Sequence, residues 1–414
     1  GIFVVKTLKM IRRENYFNLL ADYIDKPFVK IITGLRRSGK SVLLGLLKEE
    51  LIRKGTDESN IILINFESFE FSEVDNAQKL YQFVKAKISN KGRTYILLDE
   101  IQEVESWEKA INAFRVDFDA DIYITGSNSR LLSSELATYL AGRYIEIPVY
   151  TLSFSEYLQF RHVYAGIREP DIYKEFISFL RKGGFPAMHA GEYTDEMAYK
   201  AVYDIYSSAI LRDTVLRHGI REVELLERVV KFVFDNIGNS FSAKSVADYF
   251  KSQNRRIDLN TVYNYLNALE GAFIIYRIPR YDLRGKEILK TNEKYFVGDQ
   301  SLLYAVMGYK DRLISGVLEN IVMLELKRRG YRVFIGKLDK KEIDFVAEKS
   351  EKKIYIQVAW RMIDQLTIDR EFSPLRAIKD NHPKFVLSME ENWHDNIEGI
   401  QHKHLAEFLL MKDI

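Results

Sequence analysis

No cysteine occurs among the 414 residues, which excludes disulfides, zinc ribbons, iron–sulfur clusters and thiol catalysis together and suits a reducing compartment. Nor does any stretch approach the ~18 consecutive apolar residues of a membrane-spanning helix, and the run Ile2 to Val5 is too short for a signal-peptide core. A cytoplasmic chain without membrane contact is expected, with residues 1–9 read as an extension. Charge of one sign is lacking as well. Lys and Arg number 61 against 59 Asp and Glu, a formal charge of +2. No whole-molecule field therefore forces the chain onto nucleic acid or anionic lipid, and any basic footprint must be local. The seven histidines follow no metal-ligand spacing. His382, His394, His402 and His404 read as surface residues, and no zinc is expected. Internal repeats and low-complexity tracts are absent too.

What remains is a chain 47% hydrophobic, long enough for two to four domains, with three as the expectation. After an N-terminal extension and helix over 1–24, short apolar runs alternate with helical patterns: FVKIITG, NIILINFE, YILLDE, DIYITGS and YIEIPVY. Such runs, separated by helix-length segments, predict parallel strands with crossover helices, hence a doubly wound α/β core over 25–152. Aromatic-rich helical patterns take over across 153–221, broken at Gly183 to Pro186, and read as a helical lid or bridge. Residues 222–300 give helix, short helix, second helix and hairpin, the order of a winged helix-turn-helix. The segment 301–414 reads as a second, smaller α/β domain, ending in KFVLS and a C-terminal helix.

The chemistry sits early in the chain. Gly34-Leu35-Arg36-Arg37-Ser38-Gly39-Lys40-Ser41 fits the phosphate-binding loop G-x-x-x-x-G-K-[ST], after a predicted strand and at the opening of a helix. The glycines let the backbone curl so that N–H groups of Arg37, Ser38, Gly39, Lys40, Ser41 and Val42 face phosphates at the positive helix end. Lys40 is then expected on the β- and γ-phosphates of ATP and Ser41 on Mg²⁺. An apolar strand ending in Asp99 and Glu100 delivers one acid to the metal and another to the attacking water. The strand NIILINFE intervenes between these two motifs, the arrangement of NTPases whose catalytic glutamate follows the metal-binding acid. Ser127 and Asn128, after DIYITG, either sense the γ-phosphate and hold the water or cap the next helix. Glu67, at the tip of NIILINFE, reads first as an ordinary strand-end acid and second as a group that couples the γ-phosphate state to a partner.

GLRRSGKS, LLDEIQ, TGSNS and LAGRY, in this order and spacing, make the chain after Met10 resemble prokaryotic AAA-type P-loop ATPases that carry a C-terminal domain of restriction-endonuclease type. The resemblance implies nucleotide binding by Gly39, Lys40 and Ser41, magnesium and water on Asp99 and Glu100, and Arg143 of LAGRY as an arginine finger or sensor. For the C-terminal domain it implies a glutamate at position 357 and a lysine at position 359, alongside Glu319, Glu342 and Asp344. Gln357 and Ala359 stand there instead. A hard cation needs enough oxygen ligands and the water needs a positive group, so the domain reads as an inactive relic.

Double-stranded DNA is a candidate partner through the helix Asp258 to Leu269, which offers Asn260, Thr261, Asn264 and Asn267 as polar readers. Lys251, Arg255 and Arg256 precede it, and a basic hairpin follows. A winged helix used for protein contact explains the same pattern. The expected function is an ATPase that converts Mg-ATP hydrolysis into a conformational switch. An ATP-bound DNA- or protein-binding regulator with negligible turnover is the alternative, and an ATP-gated nuclease a third. The oligomeric state is left open.

Overall fold

The five apolar runs of the first third form β1 (Val29–Thr33), β2 (Ile61–Asn65), β3 (Thr94–Asp99), β4 (Ala120–Gly126) and β5 (Tyr144–Pro148). All pair in parallel, in the order β2-β3-β4-β1-β5. Every residue of β1 and β3 is buried, which is why these strands read as continuous apolar runs and not as alternating ones. In the sheet, β4 separates the P-loop strand from the acid-bearing strand. The run NIILINFE, which lies between the two motifs in sequence, takes the edge beyond β3.

Helices close both faces. Leu43, Leu44, Leu47 and Leu51 of α2 (Lys40–Arg53), with Tyr16 and Leu20 of α1 (Glu14–Asp22), pack on Ile32, Leu97 and Tyr123. On the other face Leu80 and Val84 of α3 (Ala77–Lys87) and Ile111 and Phe114 of α4 (Trp107–Asp117) cover Ile31, Ile64, Ile96 and Ile124. Leu47 is fully buried, and its truncation to Ala is expected to cost about 2–5 kcal/mol. One charge pair interrupts this core near the amino ends of β1 and β4: Lys30 donates to Asp121 and to Lys26 O. Asp121 also accepts from the Tyr123 hydroxyl and from Asp25 N. Burial pushes the Lys30 ammonium below its ordinary range, against the pull of Asp121.

This computed structural model describes residues 10–89, 92–132, 139–140, 142–191, 193–362, 364–391 and 396–414. Its chain divides into two units, Gly1–Val149 and Tyr150–Ile414. The second begins with helices Phe154–Ala165, Ile172–Lys182 and Asp195–Ser208, the last running on as a π-helical stretch to Leu216. Ser153 starts the first through a capping box with Glu156. Helices Val223–Asp235, Ala243–Ser252 and Leu259–Gly271 follow, the third capped by Asp258.

The hairpin expected after these helices is β6 (Ile275–Asp282) and β7 (Glu287–Val297), and it does not stand alone. Strand β6 pairs in parallel with β8 (Arg332–Leu338), Arg280 opposite Ile335. The hairpin thereby becomes one end of an eight-stranded mixed sheet, and residue 300 marks no break in pairing. The sheet continues through β9 (Lys341–Lys349), β10 (Lys352–Val358), β11 (Lys384–Ser388), β12 (Asn396–Ile397) and β13 (Ile400–His404). Helix Ile314–Arg328 buries Gly316 and nine side chains in this unit. No helix among the described residues is long and apolar enough to cross a membrane.

Candidate functional site

The loop after β1 needs its glycines. Gly34 has φ +147°, and a Cβ there would lie 2.1 Å from Val149 O, so only glycine permits the approach. Gly39, at φ +102°, turns the chain into α2, while Arg37 between them takes a left-handed φ of +65° and is exposed. The Arg13 guanidinium reaches in from the start of α1 and donates to Ser38 O at 2.9 Å. The Ser38 hydroxyl is buried without a hydrogen-bond partner. A buried hydroxyl is costly unless something satisfies it, and this one lies within the loop, 3.4 Å from where a Gly34 Cβ would stand.

Lys40 is buried and donates to Gly34 O at 3.0 Å and Leu35 O at 3.2 Å, with its ammonium 3.6 Å from Glu100 Oε1. Strand β3 brings Asp99 to the same carboxyl end of the sheet, where the Thr125 hydroxyl from β4 donates to it at 2.5 Å. Burial pushes the Asp99 carboxyl up, opposed by hydrogen bonds from Thr125 and Ser41. Ser41 and Asp99, the expected metal pair, are thus in contact. Val42, half-exposed at 42%, follows on the first turn of α2.

Glu100 has a left-handed backbone, φ +54°, a conformation that costs a non-glycine residue roughly 1 kcal/mol or more. Its N–H is tied to the Thr125 hydroxyl at 2.9 Å. The carboxylate accepts from Ser127 Oγ at 3.1 Å and from Gln102 Nε2. Burial by itself raises this carboxyl, but the charge of Lys40, the Gln102 bond, Arg36 and Ser127 outweigh it and hold Glu100 below the usual range. An ionised carboxylate is the form a general base requires. Asn128 is fully buried next to Ser127, its carbonyl accepting from Leu131 N at 3.2 Å.

Arg143 does not join this group. Its carbonyl accepts from Val29 N, at the start of β1, and Tyr144 stands opposite Val29. The P-loop leaves the other end, after Thr33. The length of a strand, roughly 3.3 Å per residue, therefore separates the exposed Arg143 from the phosphate cradle of its own chain.

Three participants escaped the sequence. Arg13 lay in a segment given no role, and Gln102 was part of LLDEIQ without one. Arg36, inside the P-loop motif, forms an ion pair with Glu67. Only the position of Gln102, next but one after Glu100, carried a local signal.

The second unit holds its own acidic cavity of about 950 Å³, lined among others by Glu319, Glu342, Asp344, Gln357 and Glu371. Gln357 accepts from Asp344 N at 2.7 Å and donates to Glu371 at 3.3 Å. The positive group absent from position 359 arrives from the hairpin. Lys294 of β7 lies 2.8 Å from Glu342, 3.2 Å from Glu319 and 3.9 Å from Asp344. Burial works against the Lys294 ammonium, yet the three acids prevail and hold it above its ordinary range. Burial raises Glu319 to about 8 and Asp344 to about 6, Lys294 pulling the other way in both. Among the described residues no group of three or more His, Asp or Glu is arranged to hold a metal ion.

The helix Leu259–Gly271 leaves Asn260, Asn264 and Asn267 exposed and Thr261 partly so. Much of the basic excess around it is committed elsewhere: Arg255 to Glu224, Arg277 to Glu270, Arg284 to Asp339 and Lys294 to the cavity. Arg221, Arg256 and Asn264 still share a hollow of about 750 Å³ with Asp258 and Glu222.

Residues 26–158 match an AAA domain, and 173–313 match a domain of unknown function (DUF8612) that spans the helical region, the helix-turn-helix order and the hairpin. An uncharacterized protein of Haemophilus influenzae is 41% identical over 403 residues, covering 97% of this chain and 99% of its own. An uncharacterized protein of Methanocaldococcus jannaschii is 29% identical over 421 residues, 98% of this chain and 91% of that one. Among solved structures a Walker-type ATPase of Pyrococcus abyssi superposes with a TM-score of 0.50 at 15% identity, over 72% of this chain and 96% of that one. The likeness in structure is one of fold.

Proposed function

This chain belongs to the family of AAA-domain proteins that includes the Haemophilus influenzae relative, and we propose that it hydrolyses ATP with magnesium to drive a conformational switch. The observation that carries the proposal is the meeting of Lys40, Ser41, Asp99 and Glu100 at one end of the sheet, with Lys40 3.6 Å from Glu100. The donor set suits the metal: a hydroxyl and a carboxylate are hard oxygen ligands. Ser41 and Asp99 would hold Mg²⁺, which when bound neutralises charge on the β- and γ-phosphates.

The protein's own groups do the rest. Lys40 exchanges the neutral carbonyls of Gly34 and Leu35 for anionic phosphate oxygens, so that both donor and acceptor are charged and the bond is stronger. Ser38 gains the partner its hydroxyl lacks. Glu100, ionised and held by Gln102 and Ser127, takes the proton of the attacking water. The alternative, a regulator that keeps ATP bound with negligible turnover, draws on the same 3.6 Å contact, because a lysine beside the base can hold it out of use. For the partner, the exposed asparagines of Leu259–Gly271 support DNA contact, and the committed arginines around them weaken it. Phosphate release by the native chain and Lys40→Ala, each with and without duplex DNA, tests these readings. Hydrolysis requires Lys40-dependent release, DNA contact requires its stimulation, and nucleotide uptake without release selects the regulator.

A further inference from the structure

Arg143 lies on the far rim of the sheet and brings no guanidinium to the crevice of its own chain. We propose that Arg36, the third residue of the P-loop, reads the γ-phosphate of ATP within its own chain, and that Glu67 holds it when no γ-phosphate is there. The inference rests on the nucleotide reading of this site and names its sensor.

Arg36 is 7% exposed and lies between the two glycines that shape the cradle. Its guanidinium pairs with Glu67, whose N–H is tied to Asn65 Oδ1 at 2.9 Å in the turn that ends β2. Asn65 stands opposite Asp99 in the β2–β3 register, so Glu67 and Glu100 project from neighbouring strand ends. The Arg36 charge is felt at Glu100 as well. The guanidinium is therefore paired with one of these tips, and its charge acts on the other, the carboxylate that Lys40 approaches at 3.6 Å.

The two ends of the ion pair differ. The Arg36 side chain is 9% exposed and that of Glu67 41%. A carboxylate that water can solvate makes a weak partner and is given up readily. A γ-phosphate offers more negative charge and oxygens matched to the planar guanidinium fork. ADP lacks that group, so Arg36 stays with Glu67 in the ADP state and leaves it in the ATP state. During hydrolysis a bond forms from the water oxygen to the γ-phosphorus, and the bond to the β,γ-bridging oxygen breaks with its electron pair leaving on ADP. The water proton passes to Glu100, and Arg36 donates to the non-bridging oxygens throughout. Glu67 parts from Arg36 only in the ATP state, which gives the switch a readout.

The test is calorimetry with Mg-ADP and with the Mg complex of a β,γ-methylene ATP analogue, on the native chain, Arg36→Ala, Arg36→Lys and Glu67→Gln. Arg36→Ala is expected to lower analogue affinity by about 10-fold or more, through loss of a charge-assisted contact. ADP affinity should move by less than about twofold, because ADP has no interaction with the sensor to lose, and this doubles as the check on folding. Turnover should fall by about 10³-fold, as for a lost arginine finger. Arg36→Lys should restore part of the preference, and Glu67→Gln should raise analogue affinity alone. An Arg36→Ala chain that binds ADP and still prefers the analogue as the native chain does overturns the proposal. Native protein that takes up neither nucleotide removes the nucleotide reading itself, and this proposal with it.

Discussion

Two buried lysines among carboxylates divide the molecule. Lys40 donates to two backbone carbonyls and approaches one acid at 3.6 Å. Lys294 meets three acids between 2.8 and 3.9 Å and leaves its own charge fully spent. At the first site the cation can exchange neutral carbonyls for phosphate oxygens, while Ser41 and Asp99 offer hard oxygens beside it. At the second an ammonium tethered to β7 already supplies the positive charge that a metal would bring. The residue types are the same, and what separates a site ready for a charged ligand from a closed ion cluster is how many acids each lysine must satisfy.

The sharpest way to break this comparison is to remove each lysine in turn. Lys40→Ala is expected to cut phosphate release by about 10³-fold or more, since charge neutralisation on the transferring group is its task, and to cost the nucleotide-free chain less stability than loss of Lys294 does, because one carboxylate and not three loses its cation. Full turnover in that variant would end the nucleotide reading.

Lys294→Met should do the reverse: nucleotide uptake near native, and stability lower by about 3–5 kcal/mol, because three carboxylates lose the cation they share. The sign with pH follows from the raised carboxyls. Glu319 at about 8 and Asp344 at about 6 lie above their ordinary values of 4.5 and 3.8. They contribute stability that is full below those ordinary values and is lost as pH rises through 6 and then 8. The native chain should thus weaken between pH 5 and 8. The variant should weaken more steeply, with its deficit largest at pH 8 and small near pH 5, as urea denaturation at the two pH values will measure.

What the sequence made legible follows the same division. A P-loop is read by its own backbone, so eight consecutive residues sufficed to place Gly34, Lys40 and Ser41. Asp99 and Glu100 announced themselves as the end of an apolar run. The alternation of runs and helices likewise foretold the parallel sheet, and the order of helices and hairpin between 222 and 300 was visible. Everything that needed pairing between distant segments was not. Lys294 looked like one more basic residue of a wing, since nothing local says that β6 will pair with β8. Glu371 carried no motif, and the polar strand Ile400–His404 lacked the apolar signature of a strand, although β11 flanks it. Arg143 belonged to a motif whose spacing does not say which rim of the sheet it occupies.

A smaller effect sharpens the first site. Gln102 donates to Glu100, and its Oε1 is buried without a partner. Its Nε2 also donates to Ser127 Oγ at 3.4 Å, so both of its hydrogen bonds serve to orient the base. Gln102→Ala should lower kcat by about 10-fold with KM nearly unchanged, because misplacing a positioned base costs rate without costing binding. A change confined to KM would move Gln102 from orienting the base to holding the nucleotide.

The smallest expected effect is also the one that most directly separates geometry from motif. Arg143 sits where β5 begins, bonded through its carbonyl to Val29 N, a strand away from the loop that follows Thr33. An arginine so placed has no path to the phosphates of its own chain, whatever family motif it belongs to. Arg143→Ala should therefore change turnover of the dilute chain by less than about twofold, where loss of a working finger costs 10³-fold or more. Turnover measured across a dilution series distinguishes the two. A collapse that appears only at high protein concentration would mean that the guanidinium serves the crevice of a second copy, and the cation supplied by Arg36 within the chain would then be one of two.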